Sequence, residues 1–306
     1  MGGHFFNSLN LIDTMKIYSH SKLETFEKCK LRFKFRYIDK IIPDVGKSIE
    51  AHLGSVVHSA LEWLYTELKK SNTPTIEQII SRYAEQWKKD FTPDIIIVRK
   101  ELSEKNYFNK GVDFLVTYYT KHYPFKENTL ATEHKIELAL DEETKIIGFI
   151  DRLVHNIEND EIEIHDYKTS NSMPRKEQIE NNRQLALYSL AIKETFGKDK
   201  NICLIWHYLA HDLKVCIRKT EAQLEQLKNE IKELICEIES TQNFPPNKTI
   251  LCDWCEYKSI CPAWGNFQPF GKERQSTLSE IKKSADSNPE EEIKKESEES
   301  KLDIWS

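Results

Sequence analysis

The sequence predicts an α/β fold in which a mixed central β-sheet is flanked by helices. Three observations carry that expectation. Apolar residues recur at helical spacing from Leu23 to Tyr119. From Thr132 the period drops to two, over three segments parted by polar turns. Beyond Thr169, helical and strand patterns alternate as far as Thr241.

Residues 1–16 carry no pattern and read as an N-terminal extension. Ser19 or Ser21 can cap a first helix, with Glu24 three residues after Ser21 as in a capping box. That helix runs through Leu23, Phe26, Cys29, Phe33 and Tyr37, interleaved with Lys22, Lys28, Lys30, Arg32, Lys34 and Arg36. The mixture suits a phosphate backbone with stacked bases, and it also suits an amphipathic helix with a solvated basic face. After a turn at Pro43 to Lys47 come helices over Ala51 to Lys70, from Thr75 through Trp87, and over Lys105 to His122, a helical insertion of about 47–128. His58 shares a face with Leu61 and Leu64, where by itself a histidine reads as core. Strands over His134 to Leu140, Lys145 to Val154 and Glu161 to Thr169 form a meander closed by Asp141-Glu142-Glu143 and Glu158-Asn159-Asp160. One helix over Arg175 to Glu194 puts Gln184 and Tyr188, at i and i+4, on one face. Strands follow over Asn201 to Ala210 and Leu213 to Lys219. A helix over Glu221 to Thr241 is ended by Pro245-Pro246. The core sheet therefore spans about 132–220. The Glu/Lys/Ser-rich stretch 276–306 cannot bury enough apolar surface to order itself.

Composition narrows the class. The 39% hydrophobic and 31% charged residues of this 306-residue chain suit a globular protein. Its net charge of -6 argues against a uniformly basic nucleic-acid binder, but Thr277 to Ser306 alone carries nine acidic and five basic residues, -4, leaving -2 for the rest. Local patches therefore decide. No apolar run approaches the roughly 18 residues of a membrane span, and no secretory signal is visible. The expectation is a cytoplasmic protein in a reducing compartment, where seven cysteines more often bind metal than pair.

The chemistry gathers on Ile162-Glu163-Ile164-His165-Asp166-Tyr167-Lys168. Strand alternation puts Ile162, Ile164, Asp166 and Lys168 on one face, so a carboxylate and an ammonium follow two buried isoleucines. The hairpin before it can set Asp151 beside Asp166. Hard divalent cations want oxygen ligands, and a lysine next to them can orient or deprotonate an attacking water and offset transition-state charge. Two carboxylates and a lysine are the equipment of metal-dependent phosphodiester hydrolysis.

Taken in order, Tyr18-Ser19-His20-Ser21-Lys22-Leu23-Glu24-Thr25-Phe26-Glu27-Lys28-Cys29, Gly54-x-x-x-His58, Gly148-Phe149-Ile150-Asp151, Asp166-Tyr167-Lys168 and Gln184-x-x-x-Tyr188 resemble the RecB-like branch of the PD-(D/E)XK nucleases, over residues 17–264. Ile150 stands where the family's proline would be. The resemblance implies a restriction-endonuclease-like core within residues 17–267. It implies Mg2+ or Mn2+ bound by His58, Asp151, Asp166 and the Tyr167 carbonyl, a catalytic Lys168, and Gln184 and Tyr188 positioning DNA, with Glu133 near the site. The expected function is a single-stranded DNA exonuclease of repair and recombination, with a helicase partner because no P-loop is present. Its rivals are a CRISPR-adaptation nuclease and a catalytically inactive DNA-binding scaffold subunit.

Cys252-x2-Cys255-x5-Cys261 places three thiols within ten residues. Cys203, Cys216 and Cys236 fall in apolar patterns and read as core, whereas Cys29 lies between two lysines. By the same resemblance, Cys29, Cys252, Cys255 and Cys261 hold a 4Fe-4S cluster that staples the two ends of the domain together. The spacing alone fits zinc as well.

Overall fold

A computed structural model describes residues 15–43 and 45–265. The extension before Met15 and the charged tail lie outside the described residues.

The described residues begin with a three-residue strand, β1 (Lys16–Tyr18), whose first residue falls in the stretch read as an extension. Helix α1 (His20–Lys28) is capped by Ser19, whose Oγ accepts from the Lys22 N–H at 3.1 Å. Ser21 is instead buried in the first turn. The single helix expected to reach Tyr37 is interrupted. Cys29 adopts extended backbone (φ -160°, ψ 108°), then α2 (Lys30–Phe33) runs into a wide turn over Lys34–Ile38. Apolar spacing carries through the break, so the pattern could not register it.

Three helices follow, α3 (Ile49–Lys69), α4 (Ile76–Asp90) and α5 (Glu104–His122). Ser48 caps α3, and Thr75 with Gln78 closes a capping box on α4. Then come β2 (Thr129–Ala139), β3 (Thr144–Asn156) and β4 (Glu161–Lys168). The helix expected over Arg175 to Glu194 is two, α6 (Lys176–Glu180) and α7 (Arg183–Phe196). Asn182 divides them, because its side chain accepts from the Gln184 N–H at 2.9 Å and starts a new helix there. Strands β5 (Asn201–Tyr208) and β6 (Leu213–Ile217) and helix α8 (Glu221–Ser240) complete the core.

Strand β3 is the hub of the sheet, which runs β1-β3-β4-β5-β6 with β2 on the other edge of β3. The β2–β3, β3–β4 and β5–β6 pairs are antiparallel; β1–β3 and β4–β5 are parallel. Two strands share one edge of β3. Strand β1 takes its start, up to Tyr18↔Ile146, and β4 takes its end, from Arg152↔His165. Among the described residues, 147–150 between them pair only with β2, and the registers skip Asp151. The sheet forks there.

Helices α1, α7 and α8 cover one face over Leu23, Phe26, Ile150, Ile164, Leu185 and Trp206. Helices α3, α4 and α5 cover the other, over Leu61, Tyr65, Tyr83 and Leu115, and Tyr167 joins that second core. The alternation of β4 therefore sends Tyr167 toward α3 and leaves Asp166 and Lys168 toward α7. Of the cysteines read as core, Cys203 is buried, and the other two depart from expectation. Cys203 and Cys216 are joined as a disulfide between β5 and β6, Cα atoms 6.1 Å apart, and Cys216 is exposed. Cys236 is exposed too. The buried stripe of α8 is Leu224, Ile231, Ile235 and Ile238, and the residue after Ile235 is turned about 100° away from it.

Candidate active site

The fork in the sheet is where the expected site residues meet. Above Arg152↔His165 the β3 and β4 backbones no longer pair, and the Asp151 side chain bridges the gap. Its Oδ2 accepts from the Tyr167 N–H at 2.9 Å. Helix α3 brings His58 to the same place, with Nδ1 3.2 Å from Asp151 Oδ2 and Nε2 2.8 Å from the Tyr167 carbonyl oxygen. The third member is Glu133. It interrupts β2 with a left-handed backbone (φ +44°), a conformation costing a non-glycine residue about 1–2 kcal/mol. Such irregularities re-aim side chains next to functional sites. Ligand atoms of His58, Glu133 and Asp151 lie within 4.8 Å of one another, the only such trio of His, Cys, Asp or Glu among the described residues.

The donor set fits a hard divalent cation. Neighbouring ligands on an octahedral ion with bonds of about 2.1 Å sit about 3.0 Å apart, close to the 3.2 Å between His58 Nδ1 and Asp151 Oδ2. A neutral imidazole carries one N–H, so it can donate to the Tyr167 carbonyl or to Asp151 but not to both. A cation in place of a second proton satisfies the other contact.

Asp166 does not join that trio. Its Oδ2 lies 2.8 Å from Lys168 Nζ, and Lys168 in turn donates to Gln184 Oε1 at 3.2 Å. Asp166 and Lys168 are 3% and 4% exposed. Burial pushes the Asp166 carboxyl upward, the Lys168 ammonium pulls it back, and Asp151 adds to the rise. Tyr188, one turn after Gln184, lies against the backbone of β3 at Gly148. A Cβ there would stand 2.4 Å from the ring, so only glycine lets α7 sit this close.

A model of the PD-(D/E)XK nuclease superfamily matches residues 17–262. The chain belongs to that superfamily. No curated protein matches the chain. Among solved structures, a candidate exonuclease from Eubacterium rectale is 11% identical at a TM-score of 0.47, over 88% of this chain and 96% of that one. The SSO0001 protein is 14% identical at a TM-score of 0.40, over 81% and 87%. The sheet with its flanking helices is the restriction-endonuclease-like fold of the superfamily.

The cysteines of this superfamily member form a second feature. Cys29 and the 3-10 turns carrying Cys252, Cys255 and Cys261 line one cavity of about 970 Å3. Asn247 N–H points at Cys29 Sγ and Thr249 N–H at Cys252 Sγ, both at 3.4 Å. Burial, with Glu256 alongside, pushes the Cys255 thiol up to about 12. Several basic residues of the first helical segment are engaged by acidic partners. Arg32 pairs with Glu256 at 2.8 Å, tying α2 to the cysteine turns, and Lys30 pairs with Glu237 at 2.6 Å.

Proposed function

We propose that this nuclease-superfamily chain is a divalent-metal-dependent deoxyribonuclease that digests single-stranded DNA from an end. The observation that carries the reading is the fork: His58, Glu133 and Asp151 gathered together, His58 at the Tyr167 carbonyl and Asp151 at the Tyr167 N–H, with the Lys168–Asp166 pair on the adjoining face. His58, Glu133, Asp151 and the Tyr167 carbonyl would hold the ion, and Asp166 supplies a further carboxylate. Mg2+ or Mn2+ bound there supplies positive charge for the scissile phosphate and acidifies a coordinated water. Lys168, as the ammonium paired with Asp166, orients the attacking water and offsets the charge gathering on phosphorus. Gln184 fixes the lysine head, and Gln184 and Tyr188 together present α7 to the DNA strand. A helicase partner would supply unwinding, and recombinational repair is the setting.

Cys29, Cys252, Cys255 and Cys261 would hold a 4Fe-4S cluster that staples the two ends of the described chain. A zinc tetrahedron with Zn–S bonds of about 2.3 Å needs sulfurs about 3.8 Å apart. Among the described residues no three of these sulfurs lie within 4.8 Å of one another, a wider spacing than that tetrahedron needs.

The test is digestion of end-labelled single-stranded DNA with Mn2+ by anaerobically purified protein, beside Asp166→Ala, with the visible spectrum of the same sample. Labelled product from wild type alone supports the reading, and broad absorbance near roughly 400 nm supports iron–sulfur over zinc. Equal activity in both proteins removes Asp166 from the site. Inactivity of both with DNA still bound favours a scaffold subunit.

A further inference from the structure

Directly behind the fork lies a buried polar layer that phosphodiester cleavage does not use. Its centre is Arg152, the residue after Asp151, with a side chain 0% exposed. Burying a guanidinium costs several kcal/mol unless its donors and charge are met. Here Nη1 donates to Glu127 Oε2 at 2.6 Å and Nη2 to His165 Nδ1 at 2.8 Å. The guanidinium carbon lies 3.9 Å from the centroid of the Tyr65 ring. Arginine can only donate, so His165 Nδ1 is an acceptor and the imidazole proton sits on Nε2, 3.0 Å from Glu163 Oε2. His207 Nε2, 2.9 Å from the same Nδ1, is the second donor.

Two links join this layer to the site. Along the strands, Arg152↔His165 is the last paired register before β3 and β4 part, one residue from Asp151 and one from Asp166. Across the helices, Tyr65 follows His58 by seven residues, two turns of α3, and so lies on the same stripe. Tyr65 Oη is 2.7 Å from Tyr118 Oη, which is 3.2 Å from Tyr167 Oη. Tyr167 is the residue whose carbonyl His58 meets. One end of the α3 stripe touches the candidate ligands while the other grips Arg152.

We infer that Arg152, stacked on Tyr65 and bonded to Glu127 and His165, is a positioning residue that sets α3 against the β3–β4 fork and so determines how tightly His58, Glu133 and Asp151 hold a divalent cation. The inference rests on reading that trio as the metal site. A purely structural ion pair would move only the melting temperature.

The experiment is Mn2+ binding without DNA, followed by the EPR signal of free Mn2+, for wild type, Asp151→Asn, Arg152→Met, Tyr65→Phe and Glu127→Gln. Thermal melts in the same buffer set the temperature at which each is folded. Arg152→Met weakens Mn2+ binding by about tenfold or more, the usual effect of losing an outer-shell partner. Tyr65→Phe, which keeps the ring but cuts the bond to Tyr118, and Glu127→Gln, at a site 31% exposed, weaken it by smaller factors in the same direction. Affinities within twofold of wild type in variants that merely melt lower overturn the inference. If Arg152→Met does not fold, the two milder variants decide by the same criterion. Wild-type binding that is lost in Asp151→Asn yet unchanged in the network variants removes this inference alone. Failure of wild type to bind Mn2+, or wild-type affinity in Asp151→Asn, removes the metal reading and this inference together.

Discussion

Gly148→Ala tests whether one missing methyl group sets the active-site helix on the sheet. The new Cβ would stand 2.4 Å from Tyr188 Cε1 and 2.8 Å from Cζ, where carbon atoms prefer about 3.5–4.0 Å. The ring must retreat by more than ~1 Å. Tyr188 is 5% exposed and its helix is seated by Leu185, Leu187 and Ala191, so the strain passes into α7. Overpacking of this kind costs about 1–3 kcal/mol, lowering Tm by roughly 2–12 °C for a domain of this size. Gln184, one turn earlier on α7, holds Lys168 Nζ at 3.2 Å. A shift of ~1 Å in such a contact costs up to about 100-fold in rate. Thermal melts and single-turnover cleavage, run where the variant is fully folded, read the two effects separately. Gly148→Ala combined with Tyr188→Ala makes room for the methyl and recovers stability beyond additivity, but not activity. A single variant that melts and cleaves like wild type refutes the reasoning.

Other outcomes follow from the same contacts. Lys168→Met lowers the cleavage rate by at least about 100-fold while Mn2+ and DNA binding persist; unchanged single-turnover rates would take Lys168 out of the chemistry. His52 is fully buried against Trp87 and Phe91, and burial, reinforced by Lys47, pushes its pKa down to about 4. The unfolded chain takes up that proton near pH 6.5 and the folded chain only near 4, so stability falls as pH drops through that window, by at most about 3 kcal/mol. His52→Phe flattens that acid limb in urea melts compared at pH 7 and 4.5, and an unchanged pH dependence contradicts it. Cys29→Ser abolishes the absorbance band near roughly 400 nm and opens the cysteine turns to trypsin at Lys258; a band of wild-type intensity would exclude Cys29 as the fourth ligand.

The strands around the site were legible because period-two alternation and polar turns mark a hairpin locally, and that hairpin carries Asp151, Asp166 and Lys168. His58 was legible only through its motif, since helical spacing makes it a core residue until β4 is laid against α3. Glu133 depends on a left-handed backbone inside a strand, which no side-chain pattern announces. Strand β1 was missed because three residues are too few to show a period, and its partner lies far along the chain. The breaks at Cys29 and Asn182 were missed because apolar spacing runs through both. Asn182 was the one available signal, a capping residue in mid-helix. The basic residues near Cys29 looked free for DNA because their acidic partners, Glu237 and Glu256, are remote in sequence. Arg152, His165 and His207 gave no sign of their layer, since a strand buried on both faces does not reveal which polar side chains meet across it.

The most direct test of the nuclease site is cleavage of end-labelled single-stranded DNA across a Mn2+ titration by wild type and Asp151→Asn. The amide can still accept from the Tyr167 N–H, so the fork keeps its shape and only the carboxylate charge is lost. The account predicts saturable, Mn2+-dependent cleavage by wild type and none by Asp151→Asn at any Mn2+ concentration. Equal cleavage by the two proteins would contradict it and move the chemistry away from the fork.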